Sequence, residues 1–157
     1  MRLSPPKNPP FLSPPSAHTN ANCANMSAYR LDDLLAIVKE HNPAAYTFCQ
    51  KISEVASIID DVHDQDKPVD AERLQLGVLE LTKLTHTDEW AKPRLSTIFT
   101  MWSLAYLYWQ ASNKMPKSQT RGVIKDQFNS ILIWAIAEKA PPDFVVNVIA
   151  NFPYEQT

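Results

Sequence analysis

Pro43-Ala44-Ala45-Tyr46-Thr47-Phe48-Cys49-Gln50-Lys51-Ile52-Ser53-Glu54-Val55-Ala56-Ser57-Ile58-Ile59-Asp60-Asp61-Val62 is the clearest periodic stretch in the chain. Ala45, Phe48, Cys49, Ile52, Val55, Ala56, Ile59 and Val62 recur at three-and-four spacing, the signature of a helix laid on a core. Asn42 reads as its N-cap, with Pro43 in the first turn, where a missing N–H costs nothing. Upstream, Leu31, Leu34, Leu35 and Val38 form one face of a shorter helix running from Leu31 to about Glu40, ended by His41-Asn42-Pro43.

Downstream the pattern stays helical. Lys67-Pro68 interrupts the second helix, and Asp70 caps a third with Leu74, Val78, Leu81 and Leu84 turned inward. Thr87-Asp88-Glu89-Trp90 reads as a connection of at most one turn. Pro93 opens a fourth helix with Leu95, Ile98, Phe99, Trp102, Tyr106 and Trp109 on one side and Met101, Leu104, Leu107 and Tyr108 around the back. Ser118 caps a fifth that reaches about Lys139, and Pro141-Pro142-Asp143 starts a short last one. The chain has only 2 glycines, and no alternating segment bounded by turn residues occurs, so strands are not expected. The fold class expected is all-α: about five main helices in a compact bundle-like domain over 27–157.

Residues 1–26 differ in kind. Pro5, Pro6, Pro9, Pro10, Pro14 and Pro15 break every apolar run, which excludes a signal-peptide core and predicts a disordered or extended arm. Phe11 and Leu12 are its hydrophobic foothold for a partner surface, and Met26 offers an alternative start with the arm as an upstream extension. The longest uncharged run, Leu95 to Asn113, carries Ser96, Thr97, Thr100, Ser103 and Gln110, so a central or interface helix is expected rather than a membrane span. A net charge of −2 from 15 basic and 17 acidic residues gives no footprint for nucleic acid or an anionic membrane. Cys23 and Cys49 have neither metal-ligand nor redox spacing.

The chemistry concentrates in Ile59 to Lys67. Asp60 and Asp64 lie one turn apart, His63 falls near the apolar face, Asp61 points outward, and if the helix runs to Asp66 that carboxylate returns to the His63 side. Carboxylates at this spacing suit a divalent cation, Mg²⁺ if oxygen dominates, making Asp60, Asp61, His63 and Asp64 the candidate metal ligands. Arg121 and Lys125 share a helix face and are the candidate phosphate contacts. The alternative is structural: the acids pair with Lys114, Lys117, Arg121 or Lys125, and the later aspartates serve as caps.

Asp60-Asp61-Val62-His63-Asp64 resembles the first aspartate-rich motif of the all-α isoprenoid synthases, where carboxylates hold Mg²⁺ against a diphosphate. The second acidic motif of that family has only Asp32-Asp33 as a counterpart here, and the domain is about half the usual size. His41 with His63-Asp64 and Asp88 or Asp126 loosely resembles the HD-domain phosphohydrolases. The layout of residues 30 to 150, an acidic-ended helix, a capped helix and an uncharged aromatic helix, is similar to small helical proteins of tailed bacteriophages. That resemblance implies a phage origin and a virion or accessory role, in the virion or the host cytoplasm, and nothing about catalysis.

The leading expectation is a non-enzymatic phage structural or assembly protein without a cofactor. It would dock on virion subunits or on itself through the arm and through Trp102, Tyr106 and Trp109. The alternative is a Mg²⁺-dependent enzyme or binding protein for a phosphorylated ligand.

Overall fold

The computed structural model describes residues 26–65, 68 and 70–152, with side chains from Asp33 onward. Among the described residues all regular structure is helical: α1 (Met26–His41), α2 (Pro43–Asp64), α3 (Ala71–Thr87), a 3-10 turn (Lys92–Arg94) leading into α4 (Leu95–Ser112), α5 (Gln119–Lys125), a second 3-10 turn (Asp126–Asn129), α6 (Ser130–Ala137) and α7 (Pro142–Asn151). The arm, with Phe11 and Leu12, lies outside the described residues.

The core gathers on α1, α2 and α6. Leu34 and Val38 meet Ala45, Phe48, Cys49 and Ile52, and α6 closes the layer with Ile131, Leu132, Ala135 and Ile136. α3 flanks α2, α7 packs on α6, and α4 lies against α5, the second 3-10 turn and α6. No described helix is long and apolar enough to cross a membrane.

Several local expectations are corrected. α2 buries Ile58, while Val62 is 43% exposed. α3 lies on that side, with Gly77 facing Val55 and Ile58. On α3 the buried position is therefore Gly77, flanked by half-buried Leu74, Leu81 and Leu84, and Val78 faces outward. The caps at Asp70 and Ser118 form as the sequence predicts, accepting from the Glu72 and Arg121 amides. Asn42 makes no side-chain cap; its amide nitrogen donates instead to the Ala135 carbonyl, 2.8 Å away.

The expected long fifth helix is broken in two. Gln127 Nε2 donates to the Val123 carbonyl and Ser130 Oγ to Gln127 Oε1 at the tightened 126–129 turn. That turn carries Phe128 onto Trp102, ring centroids 4.8 Å apart, while the four apolar residues of α6 still enter the core.

Candidate functional site

Two polar clusters and one apolar face are the places where chemistry or contact could concentrate. The first cluster is the acidic end of α2. Lys125 reaches it from the end of α5, its Nζ 3.4 Å from Asp60 Oδ1 and 3.6 Å from Asp64 Oδ2. The Trp109 indole N–H donates to the same Asp60 oxygen at 3.1 Å, and His63 packs edge-on against that indole at 4.7 Å. Gln65 ends α2 in the left-handed region at φ 53°, its N–H donating to the Asp61 carbonyl.

Of the four candidate metal ligands, Asp60 and Asp64 thus share one ammonium, His63 faces a ring, and Asp61 lies about 100° round the helix from Asp60. Among the described residues no group of three or more His, Cys, Asp or Glu side chains is placed to hold a metal ion. Arg121 and Lys125 serve different contacts: Arg121 Nε donates to the Ser112 carbonyl at the end of α4, and Lys125 faces the two aspartates. His41 sits at the opposite end of α2 from His63, about 33 Å away at 1.5 Å per residue, with its ring on Phe144. Asp88 accepts from the backbone amides of Trp90 and Ala91.

The second cluster was invisible as a pattern. Trp90, in what reads as a plain connection, is buried, and its indole N–H donates to Glu138 Oε2 at 2.8 Å. Asn42, 1% exposed, donates to the same oxygen at 3.3 Å. Arg94 Nε donates to Glu138 Oε1 at 2.6 Å, and its guanidinium lies over the Trp90 ring. Burial works against the Glu138 charge, but the hydrogen bonds from Arg94, Trp90 and Asn42 outweigh it and hold the carboxyl below its usual range. Cys49 nearby is the reverse case: burial first, then Asp88 and Glu138, push its thiol up to about 12, so it stays protonated and inert.

The apolar face belongs to α4. Ile98, Ala105 and Trp109 are buried, so the inner edge is not the one the aromatic spacing predicts. Phe99 faces out at 69% exposure, with Leu107 at 59% and Leu104 at 50%. Of the three candidate contact residues, Trp109 is buried, Trp102 is half-buried against Phe128, and Tyr106 is exposed and stacked on Trp109. Inward Ala105 and outward Ser96, Thr100 and Ser103 were the signal for this orientation, outweighed in reading by the large rings.

An open groove of about 320 Å³ between α1 and α7 is lined by Leu34, Ile37, Phe144 and Val148, and among the described residues its lining has one carboxylate, Asp33, and no nucleophile. No protein-family model, curated protein or solved structure matches the chain.

Proposed function

We propose that the chain is a non-enzymatic docking protein, a structural or assembly component of a bacteriophage particle that binds protein subunits through the outer face of α4. The observation that carries the docking role is that face itself. Phe99, Leu104 and Leu107 stand exposed on a helix with no charged residue from Leu95 to Asn113. Contiguous apolar surface of this kind on a water-facing helix is what a protein contact covers. Both polar clusters support the same reading, because their charged groups tie helices together: Lys125 joins α5 to α2, and Glu138 joins α6 to the α1–α2 junction and the 88–94 connection. The phage setting is supported by the resemblance in layout.

The test is composition. Mass spectrometry of purified particles is expected to find the chain in fixed ratio to the other virion proteins. A Phe99→Asp/Leu104→Asp variant that retains wild-type helicity by circular dichroism should be lost from them. Particles that lack the wild-type chain would refute the reading.

A further inference from the structure

We infer that the α4 face pairs with the α4 face of a second copy of this chain, antiparallel, about a twofold axis at Ser103. The inference rests on the docking reading and specifies its partner.

The outer face of α4 is palindromic in position and in kind. Counted from Ser103, Phe99 and Leu107 lie four residues before and after, and Ser96 and Gln110 lie seven before and after. Steps of four and seven residues bring a helix back to within about 40° of its starting direction, so all five share one stripe. The burial pattern agrees: Ser96, Phe99, Leu107 and Gln110 are exposed, and Ser103 is half-covered between them. Ser103 is also at the midpoint of Leu95–Ser112.

A twofold axis perpendicular to α4 at Ser103 therefore exchanges like with like. Ser103 meets its own copy, and a small side chain there lets the two backbones approach closely. Phe99 of each copy meets Leu107 of the other, giving two equivalent apolar contacts on either side of the axis. Ser96 meets Gln110 at both ends, where polar groups remain within reach of water. A closed dimer needs such a self-complementary patch, apolar inside and polar at the rim. Antiparallel pairing also opposes the two helix dipoles.

Area favours a second copy as well. The exposed parts of Phe99, Leu104, Tyr106 and Leu107, with the small residues between them, offer roughly 500 Å² per chain, taking about 150–250 Å² for a whole aromatic side chain. Twofold pairing doubles this to about 1,000 Å², the lower edge of specific interfaces and the size of a weak, concentration-dependent contact. No charge on the face steers it toward a charged partner.

Sedimentation equilibrium of the full chain from about 1 to about 300 µM should show the mass rising from 17.8 kDa toward twice that value. Leu107→Lys brings a charge against Phe99 and should weaken pairing at least tenfold. Both Leu107 and Phe99 are exposed, so helicity should be unchanged. A geometric test uses Cys23→Ser as background and a short bis-maleimide. Ser103→Cys should give a covalent dimer rapidly. Ser96→Cys, on the same stripe, should not, because antiparallel pairing sets the two copies of residue 96 about 21 Å apart. Equal crosslinking of the two variants would overturn the pairing, as would a dimer indifferent to Leu107→Lys. A chain that stays monomeric throughout would also overturn it, while its presence in particles would leave the docking reading intact with another subunit as partner.

Discussion

Glu138 is the residue whose removal should cost this fold most per atom changed. Its carboxylate is 18% exposed and accepts from Asn42 at the α1–α2 junction and from Trp90 and Arg94 in the 88–94 connection, three donors from two distant parts of the chain. Glu138→Gln keeps the shape but turns an amide N–H₂ toward one of the donors. The Trp90 indole N–H and the Arg94 guanidinium cannot then both be satisfied. Leaving a buried donor without an acceptor costs about 1–3 kcal/mol. Arg94 is 31% exposed, so water recovers much of its share, and Asn42 keeps the Ala135 carbonyl. The net expectation is a loss of about 2 kcal/mol for Glu138→Gln and about 3 kcal/mol for Glu138→Ala, read as a lower urea midpoint at constant slope.

The pH dependence supplies an independent reading. The folded-state pKa of Glu138 lies below its ordinary 4.5. Its stabilising contribution is therefore complete above the unfolded value and is lost as pH falls through the folded one. Wild type should lose stability more steeply than Glu138→Gln as pH drops below about 4.5. A Glu138→Gln unfolding free energy within about 0.5 kcal/mol of wild type, with parallel pH profiles, would refute the assignment of Glu138 as the pin of this junction.

Two further outcomes follow from burial. A Cβ at Gly77 would meet Val55 Cγ2 at 3.4 Å and Ile58 Cδ1 at 3.7 Å, ordinary contacts, so Gly77→Ala should stabilise the protein by about 0.5–1 kcal/mol through helix propensity, seen as a higher Tm. A lower Tm would mean that α2 and α3 approach more closely than these distances. Cys49, with its thiol pushed up to about 12, should resist a thiol-exchange reagent at pH 8 in the folded Cys23→Ser protein and react promptly in denaturant.

Helix content and most boundaries were legible because proline and capping residues act locally. Pro68, Pro93 and Pro141-Pro142 punctuate the chain, and Asp70 and Ser118 cap as their positions predict. What escaped was set by distant contacts. Nothing near Trp90 announces that its acceptor is 48 residues away, and the Asn42 amide finds a carbonyl 93 residues on. The 126–129 turn is similar, since the contact of Trp102 with Phe128 joins two separate helical segments. α4 was opaque for a different reason: a helix apolar on nearly every side carries no moment from which to read its inner edge.

The acidic end of α2 connects these points. Carboxylates at a helix C-terminus oppose its dipole, at a cost of about 0.3–1 kcal/mol each when exposed. Lys125, with only 10% of its side chain exposed, lies within 4 Å of both Asp60 and Asp64 and offsets that cost. The Trp109 indole N–H on Asp60 then fixes the C-terminal end of α4 against α2, with His63 edge-on to the same indole. Once Trp109 is held there and Ala105 is in the core, the rotation of α4 is determined. Ser103 is two residues from Ala105, about 200° round the helix, and is forced to the outside with Phe99 and Leu107 beside it. The segment with the densest chemistry in the sequence thus acts on the outer face of α4 indirectly, by choosing which side of an otherwise featureless apolar helix meets the outside.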